Sequence, residues 1–243
     1  MKTRSEGSVL AYNAQSVVDE QSGLIVASDV IREGNDNHAL VPMLEQVEEN
    51  LGEVAKQTVA DAGYFSGEQL EAAEGKRYPI LIADSEERKA GSDGEYHANR
   101  FAYDEEKDCC ICPRGQELRF RGHKTGPRGE RLREYHCAQY KQCPVRWTCS
   151  KEKRGRTIRL GAHHQAIRRQ RQKREQPSAR ALLSRRKQIV EPVFGLIRSV
   201  MEFRRFSVAG LEATKVQWSL VCAAFNLRRL YRHWVTGRLR FAT

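Results

Sequence analysis

The chain has 243 residues, of which 40% are hydrophobic and 30% are charged, and its formal net charge is +11. This length can bury a core and a smaller second module. No run of eighteen apolar residues is present, which excludes a transmembrane helix, and the N-terminus lacks the apolar segment of a signal peptide. We therefore expect a soluble, cytoplasmic protein.

The positive charge is concentrated in one block, residues 151–187. This block holds fourteen Lys and Arg residues against two acids, a surplus of +12, which leaves −1 for the rest of the chain. Such a block predicts contact with a polyanion, and nucleic acid is the usual partner. A membrane surface is the weaker alternative, because the helix expected over residues 162–175 has no apolar face.

The first 85 residues predict a β-β-α-β-α-β order. Residues 19–23 are typical of a turn between two strands, and Gly52 is expected to end the first helix. In chain order we expect strands over 9–18 and 24–31, a helix over 38–51, a strand over 57–60, a helix from about Ser66 and a strand over 78–83.

The remaining chain divides by composition into four parts. After the first core segment, 1–85, we expect a polar linker, 86–103, a cysteine-rich insertion, 104–160, a basic helical segment, 161–187, and a helical C-terminal part of the core, 188–243. Pro177 should break the basic helix. A last helix is predicted over 210–234, and its inward-facing residues are expected to be Leu211, Val216, Leu220, Ala224 and Leu227.

Residues 185–206 place one carboxylate, Glu191, in an apolar and basic helical pattern. One face should be buried because apolar residues recur three and four positions apart: Ile189, Val190, Val193, Phe194, Ile197 and Val200. An acid among so many cations is either an ion-pair partner or a metal ligand beside a polyanion. The local sequence leaves both alternatives open.

Asp61 is the second notable carboxylate. It stands where a predicted strand runs into a glycine-containing loop, the place where open α/β sheets carry their chemistry. Its alternative role is that of a helix cap or turn residue. Together with Glu191, 130 residues further on, it could hold Mg²⁺ or Mn²⁺ for phosphodiester chemistry, although a two-metal site normally uses three carboxylates.

Six of the seven cysteines lie between residues 109 and 149. Disulfides are rare in the cytoplasm, so this clustering indicates metal binding. Four thiolates can surround Zn²⁺, and our candidates are Cys112, Cys137, Cys143 and Cys149. Cys109, Cys110, His123 and His136 are further candidates, and reduced, partly buried thiols are the alternative. Cys222 lies in an apolar helix and should be core.

Several stretches together resemble transposases of bacterial insertion sequences, in the DDE superfamily. They keep one order along almost the whole chain: YNAQSVVD (12–19), LIVASDV (24–30), ND (35–36), ADAGYFS (60–66), CPRGQEL (112–118), RRKQIVEPVFGLIR (185–198), FRRF (203–206) and WSLVCAAFNLRRL (218–230).

The resemblance implies an α/β fold with a ribonuclease-H-like core of mixed sheet and helices, interrupted by the cysteine-rich, zinc-ribbon-like insertion and completed by a helical C-terminus. Asp61 matches the second catalytic carboxylate and Glu191 the third. Arg186 and Arg198 match the basic positions that flank that glutamate. The resemblance also implies Mg²⁺ as a cofactor, with structural Zn²⁺ as an addition.

The implied function is DNA transposition by strand cleavage and strand transfer, with element ends and target DNA as partners and a homodimer as the candidate assembly. The residues expected to contact DNA are Arg168, Arg169, Arg171, Lys173, Arg174, Arg185, Arg186, Lys187 and Arg198. The alternative is a non-catalytic, zinc-stabilised nucleic-acid-binding protein.

This sequence departs from the family pattern in two places. Leu183 occupies a position where a tyrosine is usual. The family's first catalytic aspartate lies on a strand before Tyr12, and Asp19, Asp29 and Asp36 do not match it; we expect Asp19 and Asp36 to be caps. The chain therefore resembles the C-terminal part of a transposase, and we expect it to bind DNA but not to cleave it at normal rates.

Overall fold

The computed structural model describes residues 11–84, 94–127 and 129–237, together with two short paired strands, β1 (Lys2–Thr3) and β2 (Gly7–Ser8). The chain forms two compact units. The first contains Met1–Ala83 and Arg169–Thr243, and the second contains Asp84–Arg168. No helix in the described part of the chain is long and apolar enough to span a membrane.

The first unit opens with the predicted hairpin. β3 (Asn13–Val18) pairs antiparallel with β4 (Ile25–Ile31), and Gln15 lies opposite Asp29. The connecting turn is closed by the Asp19 carboxylate, which accepts hydrogen bonds from the backbone N–H of Ser22, 2.8 Å, and from its hydroxyl, 2.7 Å. The expected capping role of Asp19 is thus confirmed: its side chain caps the turn between β3 and β4.

A helix and then a strand–helix–strand unit follow, in the predicted order. The elements are α1 (Leu40–Leu51), β5 (Thr58–Ala60), a 3₁₀ turn (Ala62–Tyr64), α2 (Gly67–Gly75) and β6 (Ile80–Ile82). Gly52 ends α1 in a left-handed conformation, with φ of 72°, which glycine adopts without steric cost. β5 and β6 pair in parallel, as a βαβ unit requires.

In the described part of the chain these strands form two separate two-stranded sheets, β3 with β4 and β5 with β6. The α/β class and the helical C-terminus are confirmed, whereas the single mixed sheet of a ribonuclease-H-like core stays a prediction.

The second unit is built on a five-stranded antiparallel sheet in the order β11-β10-β9-β8-β7. Its core contains Phe101, Cys110, Leu118, Tyr135 and Ile158. Its elements are a 3₁₀ turn (Ala98–Arg100), β7 (Ala102–Asp104), β8 (Cys109–Ile111), β9 (Glu117–Thr125), β10 (Arg131–Cys137), a 3₁₀ turn (Tyr140–Gln142), α3 (Arg146–Cys149) and β11 (Thr157–Leu160).

Three helices follow the sheet: α4 (His164–Glu175), α5 (Pro177–Ser199) and α6 (Leu211–Val235). Pro177 starts α5 because its missing N–H costs nothing in the first helical turn. The core of the first unit joins α5, α6 and the β3–β4 hairpin through Val193, Ile197, Trp218, Cys222, Phe225, Ile25 and Val30. Cys222 is therefore core, as predicted.

The predicted inward face of α6 is wrong except at Leu211, which is partly buried against the core as expected. Val216, Leu220 and Leu227 are 61%, 66% and 67% exposed, and Ala224 is exposed as well. The buried residues are instead Thr214, Trp218, Cys222 and Phe225. Both faces of this helix carry apolar residues. The face with the large Trp218 and Phe225 rings is the one that packs into the core, because burying these rings removes more apolar surface from water.

Candidate active site

Asp61 lies at the carboxyl end of β5 and begins the 3₁₀ turn that follows. Its Oδ1 accepts a hydrogen bond from the backbone N–H of Ala62, 2.7 Å. Its Oδ2 lies 3.1 Å from Nη2 of Arg186 on α5, which packs against β5. The Arg186 side chain is only 15% exposed, while that of Asp61 is 54% exposed. Asp61 is therefore an open carboxylate with a largely buried cation beside it.

Asp36 lies against the same loop, through contacts that the sequence did not indicate. Its Oδ1 accepts hydrogen bonds from Nδ2 of Asn13, 2.6 Å, and from Nε2 of Gln15, 2.8 Å. Its Oδ2 faces Gly63, where an added Cβ would lie only 2.5 Å away. A side chain larger than glycine would therefore displace either Asp36 or the loop that carries Asp61.

The expected capping role of Asp36 is wrong. The N-cap of α1 is Ala39, which makes no side-chain cap hydrogen bond. The Asp36 carboxylate is instead occupied by the side-chain amides of β3, which are stronger partners in a half-buried position than a distant backbone N–H.

Tyr64 connects this network to the Asp61 loop. Its hydroxyl donates a hydrogen bond to Oε1 of Gln15. Burial raises the pKa of Tyr64, the negative charges of Asp36 and Asp61 raise it further, and Arg186 opposes them. Tyr64 is therefore a neutral donor at any physiological pH. We name Asp36, Asn13, Gln15 and Tyr64 the loop-support network.

Glu191 is exposed on α5, one residue before Pro192. In the part of the chain that the structure describes, its carboxylate makes no hydrogen bond or ion pair, so the ion-pair alternative finds no partner there. Five residues separate it from Arg186, which places the two about 140° apart around the helix axis. Glu191 instead shares a face with the exposed Lys187 and Arg198, four residues before it and seven after it.

The four cysteines predicted to bind zinc line one cavity of about 250 Å³ in the second unit. Burial raises the pKa values of the Cys137 and Cys149 thiols, and the neighbouring thiols of the cavity raise both further. Cys109 and Cys110 are buried and do not line the cavity. His136 is engaged with the carbonyl of Arg154.

A comparison with known families gives the identity of the second half of the chain. Residues 111–231 match the model of the transposase DDE domain. Over these residues the chain belongs to the DDE transposase superfamily. The resemblance seen in the sequence is thus confirmed, and membership implies a role in DNA transposition, divalent-metal use and DNA as a partner. No match was found among curated proteins or among solved structures.

The matched transposase segment includes the four cavity cysteines and Glu191, and it begins after Asp61. Among the described residues, no group of three or more His, Cys, Asp or Glu side chains is arranged to hold a metal ion. Asp61 lies beside Arg186, and Glu191 lies on the exposed face of α5. Asp36 is a third acid near the loop, and its Oδ1 already accepts two hydrogen bonds.

The basic residues predicted to contact DNA fall into two groups. Arg169 pairs with Glu74, 2.6 Å, Arg185 pairs with Glu20, and Arg186 pairs with Asp61. Arg168 donates to the carbonyl of Tyr103, 2.8 Å, Arg174 is buried, and Arg171 is half-buried. The remaining members, Lys173, Lys187 and Arg198, are exposed.

Proposed function

We propose that this chain acts in DNA transposition by cleaving and joining DNA strands, with Asp61 and Glu191 as its metal-binding carboxylates. The supporting observation is the transposase DDE domain match over residues 111–231, which contains Glu191. Asp61 adds a strand-end carboxylate in the position where α/β proteins carry their chemistry. In this reaction, water attacks a phosphodiester and breaks its P–O3′ bond, which leaves a 3′-hydroxyl and a 5′-phosphate. The 3′-hydroxyl then attacks a phosphodiester of the target DNA, loses its proton and displaces the 3′-oxygen of the target strand, which leaves as a 3′-hydroxyl.

A divalent cation, Mg²⁺ or Mn²⁺, would supply charge for activating the attacking oxygen and stabilising the leaving oxygen. Both carboxylates suit this cation, because hard cations prefer oxygen ligands and each carboxylate is open to solvent. Arg186 holds Asp61 in place through their 3.1 Å ion pair. Lys187 and Arg198 flank Glu191 and would bind the phosphates on either side of the reacting bond.

A second candidate is a nucleic-acid-binding protein without cleavage activity. One observation favours it: among the described residues no group of three or more side chains is arranged to hold a metal ion, and Arg186 already pairs with Asp61. Two divalent cations would carry more charge than this pair could balance. We therefore expect the isolated chain to bind DNA well and to cleave it slowly.

Nicking of supercoiled plasmid by the purified chain in Mg²⁺ or Mn²⁺ separates the two candidates. For a transposase, nicking requires the metal, and Asp61→Asn and Glu191→Gln each abolish it without changing DNA affinity by more than a few-fold. Asp29→Asn is a matched control, because Asp29 is also ion-paired, to Lys215 at 2.9 Å. DNA binding without metal-dependent nicking would establish the second candidate.

A further inference from the structure

The cysteine cavity of the second unit is assembled from four different local structures. Cys112 follows β8, Cys137 is the last residue of β10, Cys143 follows a 3₁₀ turn, and Cys149 ends α3. Although up to 37 residues separate them in sequence, all four line the cavity of about 250 Å³. All are free thiols of intermediate exposure.

Backbone donors already point at two of the sulfur atoms. The N–H of Gln116 donates to Sγ of Cys112, 3.3 Å, and the N–H of Gln139 donates to the sulfur of Cys137. A turn holds Cys112 in this position: Gly115 donates to its carbonyl, 2.8 Å, and has a φ of 78°, which favours glycine. Hydrogen bonds from N–H groups stabilise a sulfur atom that carries negative charge.

The charge of the cavity lining also fits a metal–thiolate site. Zn²⁺ with four thiolates has a net charge of about −2, and two arginines, Arg114 and Arg156, line the same cavity. Arg156 is held there by a 3.5 Å contact of its Nη1 with the carbonyl of Cys149. Two arginines beside neutral thiols would gain little electrostatic energy. Beside a metal–thiolate site with a charge of about −2, the same two arginines would offset that charge.

The segment between Cys137 and Cys149 has little regular secondary structure of its own to hold it in place. It contains only a three-residue 3₁₀ turn and the four-residue α3, and helices this short are not stable by themselves. We propose that the cavity is a structural zinc site whose ligands are Cys112, Cys137, Cys143 and Cys149. Because the four thiols line the cavity without being arranged to hold an ion, zinc binding would require the cavity to contract. Each thiol would release its proton to solvent, and the sulfur atoms would close to about 2.3 Å from the ion.

This assignment leaves the other thiols outside the site. Cys110 is packed in the core of the second unit and Cys222 in that of the first. The zinc holds the end of the β9–β10 hairpin to the segment that leads into β11. The proposal is independent of the transposase function, and it can fail or succeed whether or not the chain cleaves DNA.

The test uses the full chain, purified under reducing conditions without a metal-affinity step. We expect one zinc per chain by mass spectrometry of the elements. The thiols of the four ligands should resist alkylation until a chelator removes the metal, and zinc added back should restore their protection. Replacement by Co²⁺ should give the thiolate charge-transfer absorption of a tetrahedral sulfur site.

Cys143→Ser and Cys112→Ser should each reduce bound zinc at least tenfold, while the controls Cys110→Ala and Cys222→Ala should keep one zinc per chain. If a ligand variant is insoluble, peptide mapping of the alkylated wild-type chain still identifies the protected cysteines. Iron in place of zinc, protection of other cysteines, or a folded chain that takes up no zinc would overturn the proposal.

Discussion

Asp36 and Asp61 lie near one loop of the transposase chain, and their partners give them different roles. Asp61 is open to solvent and pairs with the guanidinium of Arg186. Asp36 is engaged by two side-chain amides and by close approach to Gly63, which suits it to hold the loop in place. The loop-support network therefore affects Asp61 by fixing the position of the loop that carries it.

Tyr64→Phe tests that network. The substitution removes the hydroxyl that donates to Gln15, whose side chain is buried at 3% exposure. We expect the free energy of unfolding to fall by about 1–3 kcal/mol, because a buried amide oxygen is left without its donor. Urea denaturation measures the change.

Tyr12→Phe is the control for Tyr64→Phe. The Tyr12 ring packs edge-on against Phe206, and its hydroxyl makes no hydrogen bond in the described part of the chain. We expect a change within about 0.5 kcal/mol. Equal losses in both variants would contradict the role given to Tyr64.

Asp108 makes the second unit sensitive to acid. Its carboxylate accepts hydrogen bonds from Tyr135, 2.7 Å, and Tyr103, 2.9 Å, and pairs with Arg133. The Tyr135 hydroxyl is the main cause that holds the pKa of Asp108 below its ordinary value, with Tyr103 and Arg133 adding to it. A lowered folded-state pKa contributes stability above the unfolded-state pKa, near 4, and that stability is lost as pH falls through the folded-state value.

Asp108→Asn should therefore lower the melting temperature at pH 7, and the difference from wild type should shrink below about pH 4. Asparagine tolerates the positive φ of 46° at this position, so backbone strain is not added. Circular dichroism melts between pH 7 and pH 3 measure the effect, with the exposed Glu105→Gln as control. A difference that stays constant with pH would refute the assignment.

At the scale of elements, α6 is apolar on two faces. One face packs on the β3–β4 hairpin, where Trp218 donates to the carbonyl of Gln15, 2.9 Å. The other is a stripe of side chains that are each more than half exposed: Val216, Leu220, Leu227, Tyr231 and Trp234. Their spacings of four, seven, four and three place them on one side of the helix.

We propose that this stripe is the seam of a homodimer in which α6 packs on α6 of a second copy. If each side chain buries roughly 100 Å², the two copies together bury about 1,000 Å², the lower limit for a specific interface. Sedimentation velocity should show concentration-dependent dimers. The double change Leu220→Glu and Leu227→Glu should give monomers that remain folded.

Leu51→Glu, on the 50% exposed end of α1, is the matched control and should leave the dimer intact. Wild-type monomers at high protein concentration would contradict the seam, as would dimers that persist in the double variant.

At the scale of the whole molecule, the basic block presents less free charge than its composition indicates. Three of its cations are paired with acids from outside the block, Glu20, Asp61 and Glu74. Lys187 and Arg198 remain exposed on the Glu191 face of α5. We therefore expect Lys187 and Arg198 to contribute to DNA contact more than the paired cations do.

Lys187→Ala and Arg198→Ala should each weaken DNA binding and reduce the slope of log affinity against log salt by about 0.9, the value for one lost phosphate contact. Fluorescence anisotropy with duplexes of unrelated sequence measures both effects. Arg185→Ala, which removes a cation paired to Glu20, should change the slope less. Salt-independent binding, or equal effects of all three substitutions, would exclude this surface.

The sequence by itself determined the elements and the family. Local signals such as Gly52 after α1 and Pro177 at the start of α5 depend on backbone stereochemistry, which acts within a few residues. The order of motifs identified a DDE transposase, and cysteine spacing selected four thiols that line one cavity.

Only the tertiary structure decided which partners those residues have. The exposed face of α6 could not be predicted, because both faces are apolar and the choice depends on which rings fill the core. Asp36 lies more than twenty residues from Asn13 and Gln15, and Tyr64 lies 49 residues from Gln15, so no local pattern predicts this network. The pairing of Arg186 with Asp61 likewise joins residues 125 positions apart. Electrostatic and hydrogen-bonding roles depend on distances across the fold, and a chain fixes those distances only when it has packed.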